Sequence, residues 1–474
     1  MNMPSQRRDS TIAPAASKAQ LLESIDNSRF TRRHAQIYAT VVTGHLCDGF
    51  DSNLTGYILP GVIAAFAITK YEAGFIGSSV SVGMLIGALG IGFVADRVGR
   101  KLAFLLGMAI YSVLSLVLCL TWNYESLLVL RMVQGIGLGA EAPLVFTYLA
   151  EFMPARIRGR LVATSIFGWV FASAIAALVA IPVLPAFGWR GMFFIGGILG
   201  LVILAVAALT LPESVRSLIA RGRLAEATRI ANWLSSVPPE SMPADAAGLG
   251  AAGTDVATSP TLSSTMDILR GAYRRYTLAI WAMQFIAGFA FFGIAVWLPS
   301  IFVSMGFKLT QSLTFVVVIA SAGAVGSLVS GQLIDRLGRR NTLWLFFALS
   351  GCLMFAWSAA RSGPAILVIG GLADFFAVGA GGAALYAYTS ELYPTHARGI
   401  GTAWAASCQR LAGAIAPTAL GYVLGHTASN FGFFSIIGAG ELVAAVLAFF
   451  FCFESRGKTL EEITAALTVP RVLG

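Results

Sequence analysis

The sequence predicts an all-α membrane protein of twelve transmembrane helices in two six-helix bundles, and three observations predict it. Of 474 residues, 57% are hydrophobic and 12% charged, against roughly 25% charged in an average soluble domain. Twelve apolar runs recur, each near the length of about 20 helical residues that a hydrocarbon core of about 30 Å requires. The chain also repeats itself. Gly92-Phe-Val-Ala-Asp96-Arg97-Val-Gly99-Arg100-Lys101 returns 239 positions later as Gly331-Gln-Leu-Ile-Asp335-Arg336-Leu-Gly338-Arg339-Arg340. Glu151 to Gly159 returns as Glu391 to Gly399 at an offset of 240, and Glu213-Ser214 as Glu454-Ser455 at 241.

In order, the polar segment 1–36 carries Arg7-Arg8 and Arg32-Arg33 and lacks the apolar core of a signal peptide. Run 37–62 follows, with His45, Asp48 and Asp51 at i, i+3 and i+6, on one face of a helix. Run 74–94 is rich in glycine and ends at the first copy of the basic turn, which leads tightly into 102–120. Run 127–148 holds Arg131 and the closely spaced Gly135, Gly137 and Gly139, small residues that let helices approach. A second basic turn, with Arg156, Arg158 and Arg160, precedes 161–184 and 192–211. The second half repeats the plan as 278–302, 315–334, 343–360, 365–388, 401–424 and 433–453.

Between the halves, residues 218–234 alternate apolar positions with Arg221, Arg223, Glu226 and Arg229 at helical spacing, as in an amphipathic helix on a membrane face. From 235 to 264 the chain is rich in Pro, Ala, Gly and Ser, too poor in apolar surface to order itself. The expected organisation is an N-terminal segment 1–36, a bundle 37–213, a central loop 214–276, a second bundle 277–455 and a tail 456–474.

The basic clusters alternate sides. One side holds Arg97, Arg100 and Lys101, then Arg156, Arg158 and Arg160, then Arg336, Arg339 and Arg340, then Arg398; the other holds Lys70, Arg190, Lys308 and Arg361, one per loop. The excess of cytoplasmic Lys and Arg then places both termini in the cytoplasm, with the chain crossing a plasma membrane of the bacterial inner type. Topology likewise accounts for the net charge of +9, which forms no continuous stripe of the kind that binds nucleic acid. All five cysteines lie inside apolar runs at no metal-ligand spacing and read as free thiols. There is no G-x-x-x-x-G-K-[ST] loop for ATP. Neither an enzyme nor a cofactor nor a metal is expected.

The turn from Gly92 to Lys101 fits the G-x-x-x-D-R-x-G-R-[KR] signature of the major facilitator superfamily, and the run from Arg131 to Gly139 resembles that superfamily's fourth-helix motif. Leu211-Pro212-Glu213-Ser214 and Glu454-Ser455-Arg456 are similar to the helix endings of sugar porters and their relatives. Asp48-Gly49-Phe50-Asp51 resembles the aromatic acid:proton symporters, and the stretch from Ser28 to Pro143 resembles metabolite:proton symporters that include nicotinate carriers. The resemblance implies the major facilitator fold and transport by alternating access between parallel halves. The usual helix-seven glutamine pair of sugar porters is not evident, since Phe285 follows Gln284, which counts against a sugar.

Ionisable side chains inside a bilayer cost about 2.5–3.5 kcal/mol each on insertion scales, so each needs a partner, water or a task. His45, Asp48, Asp51, Arg131 and Glu141 are the candidates for proton coupling. Asp51 and Arg131 fall at similar depths and read as a carboxylate–arginine pair, either proton-sensitive or a static tie between two helices. His45 titrates or bonds a carbonyl; Glu141 lines a cavity or sits among packing glycines.

In the second half, Arg410 stands at mid-depth beside Gln409 and six residues from Trp404. A guanidinium pairs bidentately with a carboxylate and an aromatic stacks on a ring. With Gln284, Tyr386 and Tyr388 these form the expected substrate site, unless Arg410 is instead paired with Asp374 or Glu441. Asp96, Arg97, Arg100, Glu151 and Arg156, with Asp335, Arg336, Arg339, Glu391 and Arg398, read as gating charges at helix ends. The function expected is a monomeric proton-coupled symporter in the lipid bilayer, importing a small aromatic or heteroaromatic carboxylate with protons and contacting no nucleic acid. The alternatives are a sugar or polyol symporter, or a transceptor that signals without transport.

Overall fold

The computed structural model describes residues 18–235, 268–270, 273–393, 395–427, 429–454 and 456, and they are helical almost throughout. The first half comprises α1 (Lys18–Asp26), α2 (Arg32–Phe66), α3 (Lys70–Val98), α4 (Arg100–Leu118), α5 (Tyr124–Phe152) and α6 (Ala155–Thr210). Two short helices follow, α7 (Val215–Ala220) and α8 (Leu224–Ser235). The second half comprises α9 (Tyr273–Ser304), α10 (Leu309–Leu337), α11 (Arg339–Ala359), α12 (Gly363–Gly379), a π-helical turn (Ala380–Ala384), α13 (Leu385–Leu392), α14 (Thr395–His426) and α15 (Phe431–Phe451).

Among the described residues, nine helices are long and apolar enough to cross a bilayer, with α12, the π turn and α13 acting as one of them. The 56 residues of α6 are two crossings. Its backbone leaves helical geometry at Gly188 (φ 65°, ψ −170°), and its contacts with α2 show the reversal. Tyr38 bonds Thr164 and Tyr57 bonds Ser173, ascending together. Thr40 bonds Thr210, Asp51 abuts Gly196 and Phe66 meets Trp189, descending. Adding α2 and α14, whose polar residues lower their hydropathy, gives twelve crossings. Large apolar side chains left exposed along the spans, such as Leu178, Val202, Leu209 and Phe450, suit a lipid surround rather than water.

The halves meet at the end of the molecule opposite α1. There Ser78 bonds Thr418 (2.7 Å), the Lys70 ammonium donates to the Leu424 carbonyl (3.2 Å), and the Tyr71 and Tyr422 rings lie 5.9 Å apart. Deeper in, Trp169 of α6 stacks on Phe291 of α9 at 5.7 Å. Toward α1 the helices part. Phe93 and Trp404 are exposed there, and an added Cβ at Gly90 or Gly92 would meet nothing within 4 Å.

The amphipathic segment between the halves forms α7 and α8, with Gly222 at φ 74° between them. Leu218, Ala227, Ala231 and Leu234 bury an apolar seam that also receives Leu21 and Ile25 of α1. Arg158 donates to the Asp26 carboxylate and ties α6 to α1. The expectations for residues 1–17, for 236–264 and for the tail from 457 fall outside the described residues.

Candidate functional site

Each half holds a polar cluster in its interior. In the first half, α2 carries His45, Asp48 and Asp51 into the interior, each no more than 3% exposed. Asp48 is well held: Ser52 one turn on donates to Oδ1 (3.1 Å) and the Trp169 indole N–H donates to Oδ2 (3.1 Å). His45 Nδ1 lies 3.6 Å from the same Oδ2. Gly49 permits this approach, because a Cβ there would stand 2.7 Å from the Trp169 carbonyl oxygen.

Asp51 and Arg131 do not pair directly, contrary to the expectation from their depths. Asp51 Oδ2 accepts from the Ser115 hydroxyl (2.9 Å), Ser115 accepts from Gln134 Nε2 (2.6 Å), and Gln134 Oε1 accepts from Arg131 (2.6 Å). A second guanidinium nitrogen donates to Thr55, and the guanidinium lies 5.3 Å over the Phe193 ring. The side chain of α4 thus stands between the two charges and relays them. Glu141 is fully buried against Gly44, near the Tyr111 hydroxyl, and neither carboxylate oxygen has a hydrogen-bond partner among the described residues.

In the second half, Tyr386 donates to Gln409 Oε1, and Gly288 lets α9 press against Gln409. The rings of Trp281 and Trp404 lie 5.5 Å apart. Arg410 follows in the same helix; its Nε has no hydrogen-bond partner, and no carboxylate lies within 4 Å of it among the described residues, so neither Asp374 nor Glu441 neutralises it. One residue expected beside it lies elsewhere: Tyr388 turns its hydroxyl to accept from the Phe453 backbone N–H (2.8 Å), closing the end of α15. Gln284 is fully buried one turn before Gly288, and neither of its amide atoms has a hydrogen-bond partner among the described residues.

The basic turns build intra-half networks at the helix ends. Arg100 pairs with Asp96 (3.1 Å) and Arg339 with both Asp335 (3.1 Å) and Glu391 (2.9 Å). Glu151 accepts from Ser214 rather than meeting Arg156, which is exposed along with Arg97 and Arg336. The side chain of Arg398 lies outside the described residues. Sequence reasoning missed Glu213 and Glu454 as partners: Glu213 Oε1 accepts from the Arg100 backbone N–H (2.8 Å), and Glu454 Oε1 from that of Arg339 (2.9 Å). Their matched offsets carried the signal. Trp169 and Ser115 were missed too, since nothing in the sequence separates them from ordinary packing.

Twelve crossings in two repeated halves, each with ionisable groups inside the membrane, are the plan of a carrier. A model of the sugar (and other) transporter family matches residues 19–467. The chain belongs to that family. The niacin transporter NiaP of Acinetobacter baylyi is 31% identical over 450 residues, which span 94% of this chain and 99% of the relative. The gallate transporter of Pseudomonas putida is 30% identical over 434 residues, 90% of this chain and 92% of that one. Among solved structures, the partially occluded inward-open xylose transporter XylE from E. coli matches with a TM-score of 0.69 at 20% identity, covering 90% and 100% of the two chains. At that identity the likeness concerns the fold alone. The transporter is therefore a multi-pass membrane protein with the major facilitator fold.

Proposed function

We propose that this transporter imports a small aromatic or heteroaromatic carboxylate, of the benzoate or nicotinate class, together with protons. The observation that carries the reading is Arg410: a guanidinium inside the membrane with no carboxylate partner among the described residues, next to Gln409, which accepts from Tyr386, on a helix whose Trp404 ring packs on Trp281. A charge left uncompensated at that depth is costly unless an anion arrives to meet it. A planar fork suits a carboxylate, and the aromatic side chains of the same half suit a flat ring. The names of relatives that carry niacin and gallate support the same class.

Asp48 and Asp51 are the groups that take up and release the proton. Asp48 has a mechanical link to the opposite half, because its Trp169 partner stacks on Phe291. Loss of charge at Asp48 weakens the hydrogen bond that fixes the indole, and the indole is part of the contact between halves. With the α1 end in the cytoplasm, as the loop charges indicate, the closed end faces outside and the arrangement is inward-facing. The halves then rock about the central site, and the intra-half networks at Arg100 and Arg339 set the rates of rocking rather than the substrate.

The reading is tested in proteoliposomes with an imposed pH gradient, comparing uptake of nicotinate and benzoate with their amides and with hexoses. Gradient-driven accumulation of the acids alone is expected. Accumulation of hexoses instead would replace the carboxylate with a sugar, and binding of the acids without flux would leave a transceptor.

A further inference from the structure

Two intramembrane carboxylates, Asp374 and Glu441, belong to neither cluster. Asp374 of α12 lines a small cavity between the halves, together with Tyr57 and Ser173 of the first half and Phe291, Leu298 and Ile319 of the second. It lies against Gly323 of α10, where any Cβ would collide with it. Neither Lys, Arg nor His approaches it within 4 Å among the described residues. The charged or titratable groups facing it reduce to one, the Tyr57 phenol from α2, which already donates to the Ser173 carbonyl (2.8 Å). From α6, α9 and α10 the cavity walls offer only hydroxyl or apolar atoms. The cavity sits just beneath the closed end, one residue from the contact of Gly56 with the Ala295 carbonyl.

We propose that Asp374 is a second proton site, separate from the first-half cluster, and that the end of the transporter opposite α1 closes only over its neutral acid. The inference rests on alternating access but not on the identity of the substrate. A half-buried carboxylate in this largely apolar wall without a cation is a poorly solvated, unpaired charge, which proteins avoid by neutralising the group. Opening this end hydrates the carboxylate and removes the penalty. A proton held in one state and not in the other makes the balance between states depend on pH, by up to tenfold per unit for one proton. The sign follows: the closed form holds the proton, so acid favours closure and rising pH favours opening.

The test measures the gate itself. Spin labels on Trp122→Cys and Lys308→Cys, both at that end, in a variant with the native cysteines replaced, report the separation of the halves by double electron–electron resonance. In substrate-free proteoliposomes from about pH 5 to about pH 8, the long-distance fraction of the parent is expected to rise up to tenfold per unit. Asp374→Asn, permanently neutral, should hold the short distance at every pH, and Asp374→Glu should restore the response. An Asn variant that opens with pH like the parent overturns the proposal, as does a parent without any pH response. If Asn fails to fold, a Glu variant with a parental profile and Asp374→Ser with a flat one support it, whereas a pH-responsive Ser variant sinks it. Uptake measured on the same samples separates the two readings, since a transporter that rejects carboxylates can still carry this gate.

Discussion

Replacing Arg131 by Met would remove the hub of the first-half network while keeping an unbranched side chain of similar length. The guanidinium donates to Gln134 and Thr55 and lies over Phe193. Hydrogen bonds to charged groups contribute about 1.5–3 kcal/mol each, and a desolvated cation–π contact about 2 kcal/mol. Burying the guanidinium offsets part of that sum, so the net loss expected is about 3–5 kcal/mol, the range for breaking a buried charge arrangement from one side. Much of it comes from Asp51, which has one donor, Ser115, and a second oxygen without any among the described residues, and which loses the positive charge at the far end of the relay. Adding Asp51→Asn removes that stranded charge, so the double variant should recover about 1–3 kcal/mol relative to additivity. Tryptophan fluorescence followed through SDS titration in mixed micelles measures all four corners of the cycle. Additive losses would refute the relay through Ser115 and Gln134 and leave Asp51 and Arg131 as independent sites.

Three further outcomes follow from the same geometry. Asp48→Asn or Asp51→Asn should abolish accumulation driven by a pH gradient while sparing counterflow, which needs no net proton movement; normal accumulation in both would remove α2 from the proton path. Arg410→Lys keeps the charge but loses the fork, so calorimetry should show carboxylate binding weakened by about 1–3 kcal/mol; equal losses for the acid and its amide would make Arg410 structural. Gly139→Ala should destabilise by about 1–3 kcal/mol through overpacking, because a Cβ there would overlap the Met84 carbonyl between α3 and α5; unchanged stability in the same SDS titration would mean that this helix pair is loosely packed.

The fold was legible because the bilayer simplifies the code. Apolar length sets the number of crossings, and an offset near 240 between repeats sets their division into halves, neither of which needs tertiary detail. The site was legible in part. Depth along a helix places Asp51 and Arg131 at one level, but depth carries no azimuth, and the side chain interposed from α4 cannot be read from two helices considered alone. Tyr388 shows the same limit. It lies two residues from Tyr386, so on a helix of 3.6 residues per turn it points about 200° away, toward the core rather than Gln409. Trp169 was invisible for a different reason, since one indole among nine tryptophans carries no mark of its hydrogen bond until a carboxylate is seen beside it.

The carboxylates of Glu213 and Glu454 have a bearing on how the chain is made. Gly99 and Gly338 begin α4 and α11 at φ of 103° and 92°, a left-handed turn open to glycine, which brings no side chain to cap the helix that follows. The missing acceptor comes from a residue 113 positions beyond Arg100 in the first half and 115 beyond Arg339 in the second. A ribosome adding about 5–20 residues per second needs roughly 6–20 s to supply it. Until then the start of each third helix has exposed N–H groups, at the α1 end of the molecule where water can satisfy them. Each half is thus locked by nearly its last residue, so a nascent bundle stays adjustable until its sixth crossing is complete.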